Sequence, residues 1–517
     1  MALLGEPETP RDLTSATVHG LKWTYVSTVV TVLLQVAVTA VLARVLTPSA
    51  FGLVAMASVF LRFGQYFAQM GSRQALVQKK ELSAGDMRTA FTSSLLLGIA
   101  FCLLFVALAP LAGLIFPDTP DVVNVTRVMS LAFVIGGLTA PTQGLLQRRF
   151  AFRATAFAEI GSYVLGYAVV GLSLAVSGFG AWSLVAASLG QGALLAGICI
   201  VLCRADIGLG MSGASFRAIY GFGARVSFIG FAEFIGSNLD TLWAGHFLGA
   251  KVTGLYTRAT NLATVPLYYF TTSLSRVLLP GYSRIQAESE RLRAVFLSSL
   301  TVIGAITIPV SWGLAASSRA VITTLLGEQW SAAIPVLAIL AAAAPFSLLY
   351  HLSAIVCEAT ARLTPRIVIT LCRLVWLTAL LGGLADYGIV GIAVAFALSE
   401  LVSHIAYLVV VRRQLGIPAS QLTRVHSVGV QSGIATAAAL FGLQVGLTTV
   451  GCPAFVVLIA QILTGAGIMV VALAKARDGL VWREIRTRLA QSGYAPHPGS
   501  PIGWIVRRMD SFSGTAA

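Results

Sequence analysis

Charged residues are scarce in this sequence, 11% of 517 positions, against roughly 25% in soluble domains. A chain this poor in charge and 57% hydrophobic cannot cover a water-facing surface. Catalytic signatures are missing as well. No GxxxxGKS/T phosphate loop occurs, which argues against ATP bound by this chain as an energy source, and no Ser-His-Asp or HExxH arrangement stands out. The loops are short, so no extramembrane catalytic domain is expected and the chain does not read as an enzyme. The six cysteines lie in or beside apolar stretches without metal-ligand spacing. Cys199 and Cys203, at i,i+4, read as helix packing. Neither a structural disulfide, a metal nor another cofactor is expected.

What the sequence has in abundance is apolar runs near 20 residues, long enough to cross about 30 Å of hydrocarbon. Fourteen are predicted, at roughly 23–43, 51–70, 91–110, 125–146, 154–176, 180–202, 226–247, 256–279, 296–316, 332–356, 367–385, 388–411, 428–449 and 453–474. The fold class is therefore an all-α polytopic membrane protein with about 14 transmembrane helices. A β-barrel would show shorter, alternating segments. The polar stretch 1–22 lacks the basic start and short apolar core of a signal peptide.

The formal net charge of +15 does not point to nucleic acid, because the basic residues cluster in alternate loops. Loops after even-numbered spans carry groups such as Arg148, Arg149 and Arg153, or Arg412, Arg413 and Arg424, whereas the opposite loops hold little beyond Arg44, Lys251 and Arg319. By the positive-inside rule both termini are cytoplasmic. The tail 475–517 contains an interfacial pattern, with Trp482, Ile485 and Leu489 on one helical face, before a Gly-, Pro- and Ser-rich end.

An internal repeat organises the chain. Residues 43–80 read ARVLTPSAFGLVAMASVFLRFGQYFAQMGSRQALVQKK, and 245–280 read GHFLGAKVTGLYTRATNLATVPLYYFTTSLSRVLLP. Leu46 falls opposite Leu248, and Gly52-Leu53 opposite Gly254-Leu255. Two halves on one plan are a signature of transporters with internal symmetry.

Ionisable side chains at bilayer depth cost several kcal/mol and should face protein or water. Span 2 aligns Arg62, Gln65, Tyr66 and Gln69 at i, i+3, i+4 and i+7. Span 8 places Arg258, Asn261, Tyr269, Thr272 and Arg276 close to one face, span 7 carries Glu233, Ser237 and Asp240, and span 1 offers Thr28, Thr31 and Gln35. These spans hold equivalent positions in the two halves, as expected for a central cavity between two bundles. The hydroxyls and amides serve equally as hydrogen bonds between helices. Glu233 and Asp240 either couple transport to a cation or balance Arg258 and Arg276. Arg373 in span 11 and Glu400 in span 12, the latter sharing a face with Ser403, His404 and Tyr407, either neutralise each other or take part in coupling. His246 and His351 are isolated and read as structural.

Three stretches, ARVLTPSAFGLVAM, GSRQALVQKKELSAGDMRTAF and QGLLQRRFAFRA, with DTLWAGHFLGAKVTGLYTRA in the second half, resemble Wzx-type polysaccharide and O-antigen flippases. These form the polysaccharide transporter branch of the multidrug/oligosaccharidyl-lipid/polysaccharide (MOP) exporter superfamily. The resemblance covers roughly residues 15–475. It implies two pseudo-symmetric six-helix bundles in a V plus two C-terminal helices. The segments are then 1–22 as a cytoplasmic N-terminal stretch, 23–203 and 226–411 as the bundles, and 204–225 as a cytoplasmic linker; 428–474 holds helices 13 and 14, and 475–517 the cytoplasmic tail. It also implies a multi-pass protein of the bacterial inner membrane. The cargo would be an undecaprenyl-pyrophosphate-linked oligosaccharide, flipped for exopolysaccharide, capsule or lipopolysaccharide synthesis. Membrane lipids and the polymerase and export proteins of the same pathway would be partners. Arg62 and Arg258 stand where related lipid flippases carry cavity arginines; with Arg276 they suit the pyrophosphate, and Gln65, Gln69, Asn261 and Tyr269 suit sugar hydroxyls. The alternatives are a cation-coupled multidrug-type antiporter of the same superfamily, which usually carries a carboxylate in span 1 that is missing here, and a membrane-embedded polysaccharide polymerase.

Overall fold

The computed structural model describes residues 10–69, 72–79 and 82–475. Within them the side chains of 10–26, 218–234, 265–273 and a few single positions, among them Tyr66, Gln69, Ser237 and Arg276, are not described. The interfacial pattern expected around Trp482 lies outside the described residues.

Apart from loops, the described chain is helical throughout. The first half runs α1 (Pro10–Val45), α2 (Pro48–Gln69), α3 (Ser72–Gln78), α4 (Ala84–Ile115), α5 (Val122–Met129), α6 (Leu131–Arg148), α7 (Phe152–Tyr163), a π-helical stretch (Val164–Gly171), α8 (Leu172–Val176) and α9 (Ala181–Cys203). The second half runs α10 (Gly213–Arg284), α11 (Ser289–Ala316), α12 (Ser318–Leu325), a 3₁₀ turn (Glu328–Ala333), α13 (Ile334–Ala359), α14 (Leu363–Gly383), α15 (Gly388–Leu415), α16 (Ala419–Thr449) and α17 (Ala454–Lys475). Among the described residues, 11 helices are long and apolar enough to cross a membrane. They coincide with eleven of the predicted spans. The remaining three, 51–70, 226–247 and 256–279, fall on α2 and on the two sides of Gly249 in α10, where φ 74° and ψ −177° break the helix. The protein is an all-α, multi-pass membrane protein.

Local signals explain several boundaries. Ser83 and Asp86 form a reciprocal capping box at the start of α4: the Asp86 N–H donates to Ser83 Oγ at 3.1 Å, and the Ser83 N–H to Asp86 Oδ2 at 3.0 Å. Lys79 pairs with the same carboxylate at 2.6 Å. Each half also carries prolines at corresponding places, Pro110 and Pro141 inside α4 and α6, Pro309 and Pro345 inside α11 and α13. Neighbouring helices make such breaks tolerable within a membrane.

The chain gathers into two compact units. One combines the residues up to Val265 with Ser318–Leu340 and Thr370–Ser399; the other combines Pro266–Ser317, Ala341–Ile369 and the residues from Glu400 onward. The core of the first includes Met56, Leu61, Phe105, Phe116 and Phe133. Tyr282, Phe296, Leu349, Val356 and Val411 anchor the core of the second.

Within the first unit the two repeat copies meet. A Cβ placed on Gly52 would lie 1.7 Å from the Ala250 carbonyl oxygen, and one on Gly254 would lie 1.8 Å from the Pro48 carbonyl oxygen. In the repeat register Gly52 corresponds to Gly254 and Pro48 to Ala250, so the contact is reciprocal, as across a local two-fold axis. Only glycine lets the backbones approach this closely. Further contacts tie the same end. Trp330 Nε1 and Gln329 Nε2 donate to the Ala43 carbonyl at 2.8 and 2.5 Å, satisfying an acceptor near the end of α1. Arg44 donates to the Thr324 carbonyl at 2.6 Å, and His246 Nδ1 donates to the Ile115 carbonyl at 2.5 Å. The Phe51 and Trp330 rings meet edge to face with centroids 5.4 Å apart. All of these groups lie near the arginine-poor loops.

The close crossing yields a stability test. Gly52→Ala and Gly254→Ala lower the thermal stability of the purified protein, by an overpacking cost of about 1–3 kcal/mol. Gly442→Ala, with nothing within 4 Å of its Cβ position, leaves stability unchanged or raised, because alanine favours helix. Equal melting temperatures for all three variants would contradict the contact.

Candidate functional site

Arg258 lies on α10 beyond the break at Gly249, in the first unit. It is partly buried and its Nε has no hydrogen-bond partner among the described residues. Its Cζ stands 4.8 Å from the centroid of the Phe51 ring, a cation–π contact. Tyr163 and Tyr167 lie within its electrostatic reach. Those two rings stack with centroids 5.0 Å apart where α7 passes into the π-helical stretch. A π turn rotates the side chains beyond it relative to an α-helix and recurs at functional sites. No ion pair joins Arg258 to a described carboxylate; the Phe51 ring face is the contact shown for its charge.

A polar cavity of about 270 Å³ lies in the same unit. Gln65, Arg73, Thr139, Gln143 and Ser188 are among its lining residues. Arg73 donates through Nε to Gln147 Oε1 and through Nη1 to Gln143 Oε1, both at 3.2 Å. Two amide oxygens thus orient the guanidinium without neutralising it. Ser188 hydrogen-bonds to Tyr167, which connects the cavity to the aromatic surroundings of Arg258. Toward the arginine-rich loops, Arg148 Nη1 donates to the carbonyls of Leu76 and Lys79, and Arg149 grips Asp206 in a two-pronged pair at 2.7 and 2.6 Å. These bonds fix α3 and the α9 exit against α6. A second cavity, about 530 Å³, is apolar and includes Phe60, Phe63, Phe105, Leu242 and Trp243 in its lining.

Asp240 sits apart from Arg258. It is 2% exposed, and both carboxylate oxygens are engaged: the Tyr256 hydroxyl donates to Oδ2 at 2.6 Å and the Thr241 N–H to Oδ1 at 2.8 Å. Arg373 of α14 lies within electrostatic reach of this carboxylate, with its own Cζ 5.9 Å from the Phe396 ring. Both oxygens of Asp240 thus have donors within the protein.

The residues singled out in sequence therefore separate. Gln65 lines the polar cavity. Arg62, three residues earlier, is exposed and has no hydrogen bond or ion pair to a described residue; Asn261 is exposed as well. The side chains of Gln69, Glu233, Tyr269 and Arg276 lie outside the described residues. Glu400 is 1% exposed on α15, in the second unit. Sequence reasoning passed over Phe51, Tyr163, Tyr167, Gln143 and Tyr256, and counted Arg73 as a loop charge. The one available signal was the Tyr163/Tyr167 pair, two phenols at i,i+4 inside an apolar span.

Known proteins give this geometry its context. The lipopolysaccharide biosynthesis protein WzxC of Escherichia coli (strain K12) is 29% identical over 335 residues, 63% of this chain and 67% of that protein. The succinoglycan biosynthesis transport protein ExoT of Rhizobium meliloti (strain 1021) is 30% identical over 339 residues, 64% of this chain and 67% of that one. The solved structure of the lipid II flippase MurJ in an inward closed conformation shares the fold, with a TM-score of 0.69 at 16% identity, covering 89% of this chain and 99% of that chain. A family model described as polysaccharide biosynthesis protein matches residues 41–335, more than half of the sequence. The chain belongs to the polysaccharide biosynthesis protein family.

Proposed function

We propose that this protein flips an undecaprenyl-pyrophosphate-linked oligosaccharide across the bacterial inner membrane by alternating access, with both termini cytoplasmic. The names of its relatives and the flippase fold support the coarser reading, a transporter of lipid-linked sugar. The observation that carries the finer one is Arg258: a guanidinium in an apolar span, set over the Phe51 ring without an ion pair to a described carboxylate, and within electrostatic reach of Tyr167, whose partner Ser188 lines a polar cavity. Such a cation keeps its charge available for an anionic cargo.

A pyrophosphate in a low-dielectric cavity needs fixed cations, and arginine matches its oxygens with two parallel N–H donors. In this reading Arg258 receives the pyrophosphate. Arg62 and Arg276 add positive charge that attracts it, and Gln69, Asn261 and Tyr269 are the polar residues near them in sequence that suit its sugar hydroxyls. Arg73, Gln65 and Gln143 present donors and acceptors to sugar hydroxyls at the arginine-rich side. The apolar cavity bounded by Phe60, Phe105 and Trp243 suits hydrocarbon. Asp240 and Arg373 balance each other's charge. Two six-helix bundles, 23–203 and 226–411, rock about the site, with 204–225 as their linker and 428–474 flanking the lipid tail. The Gly52–Gly254 crossing closes the arginine-poor end and parts when the cargo leaves.

Flipping of the lipid-linked oligosaccharide in proteoliposomes tests this reading. Arg258→Ala lowers the flipping rate by roughly tenfold or more, since a charged hydrogen bond contributes about 1.5–3 kcal/mol. Arg258→Lys recovers only part, because an ammonium lacks the planar fork. Arg62→Ala has the same direction. Wild-type rates in folded Arg258→Ala protein would make that residue structural.

A further inference from the structure

A second polar cluster lies in the other unit, far along the sequence from Arg258. His404 on α15 is 3% exposed, and its Nε2 is 3.1 Å from Nε2 of His426 on α16. His426 Nδ1 is 2.8 Å from the carbonyl of Leu422, one turn earlier on its own helix. A carbonyl only accepts, so His426 Nδ1 carries a hydrogen. In a neutral ring its Nε2 is then a lone pair, and the hydrogen in the bond between the rings belongs to His404 Nε2. That leaves His404 Nδ1 as a bare lone pair, buried and without a hydrogen-bond partner among the described residues. The pair is one proton short of an imidazolium shared by two rings.

The surroundings suit a proton that comes and goes better than a fixed charge. The Phe346 ring of α13 lies 5.8 Å from His404, centroid to centroid. Among groups that titrate or carry charge, Glu400 is one turn away on α15, and Tyr407 of α15 stacks on Tyr350 of α13 at 5.6 Å. On α16, Arg424 is exposed. Arg293 of α11 donates to Gln421 at 2.9 Å, more than a turn before His426. Among the described residues no carboxylate is hydrogen-bonded to either ring. His426 is half-buried, two residues past exposed Arg424, whereas His404 is enclosed. The pair therefore leads from the arginine-rich surface into the membrane.

We infer that His404 and His426 form a proton-binding site through which transport is coupled to a proton gradient. The coupling rests on the transport reading above. One proton from water adds to Nδ1 of His404, turning the neutral pair into a single cation; the reverse step returns that proton to water. Buried histidines in membrane helices commonly serve as proton relays. A proton shifts a conformational equilibrium only if the two states bind it with different affinity, and an enclosed Nδ1 lone pair next to an aromatic ring supplies such a difference when the surrounding helices move.

The site is tested first without cargo. Histidine ring nitrogens of the full chain in lipid nanodiscs are followed by ¹⁵N NMR between about pH 8 and 5, the range in which histidine titrates. The His404 signals move to the imidazolium position, and the transition is lost in His404→Gln, whose amide still donates to His426. His426→Gln, which keeps an acceptor for His404, shifts the midpoint. Rings that stay neutral throughout overturn the proposal. Proteoliposomes with an internal pH dye then test coupling: the wild type moves protons with lipid-linked oligosaccharide and responds to an imposed pH gradient, and His404→Gln loses both. Retention of both by that variant, or a drive by sodium alone, overturns the coupling. A wild type that moves no cargo instead refutes the transport reading, while the ring titration still judges the proton site.

Discussion

Hydrocarbon gives a buried cation nothing to bond to, and this constraint shapes the polar interior of the protein. A guanidinium within a span must find partners in protein or water. The chain answers in several ways. Arg148 and Arg149 reach carbonyls and a carboxylate at the arginine-rich surface, where they fasten α3 and the end of α9. Arg373 stands near Asp240, whose own oxygens take Tyr256 and Thr241. Arg258 alone among these is met by ring faces without a carboxylate, with Phe51 beneath it and two stacked tyrosines in reach. An arginine whose charge is supported but not cancelled is the feature that a polyanionic lipid would require.

The same economy governs the arginine-poor end. Carbonyls near the terminus of α1 are satisfied by Gln329 and Trp330, and the repeat copies touch backbone to backbone at Gly52 and Gly254. Glycine contacts and hydrogen bonds to carbonyls would suit the closure proposed above, because they hold helices together without an ion pair. Such a closure is consistent with rigid-body rocking of symmetric halves.

Much of this architecture is legible in the residues themselves. The apolar spans, the charge asymmetry of the loops, the repeat and its paired glycines all follow from summing or aligning residues along the chain. Arg258, Asp240 and Gln65 are identifiable because a polar side chain in an apolar span is conspicuous. Their partners are not. Arg62 and Arg258 look alike in sequence, yet one is exposed and the other is braced by Phe51, a residue indistinguishable from its apolar neighbours. Arg73 reads as a loop charge because the sequence does not say that α3 folds back beside Gln143 and Gln147.

The division has a physical basis. Hydropathy acts on each segment independently of its neighbours, so sequence alone determined that this chain crosses a membrane many times, on a duplicated plan; the positive-inside rule adds the expectation that its basic loops share one side. Which side chains face each other depends on the rotation of each helix about its axis. That rotation is reset at Gly249 and again along the π-helical stretch Val164–Gly171. Tertiary structure therefore decided that Tyr163 and Tyr167 come within electrostatic reach of Arg258, that Tyr256 serves Asp240, and that two histidines on separate helices share one hydrogen bond.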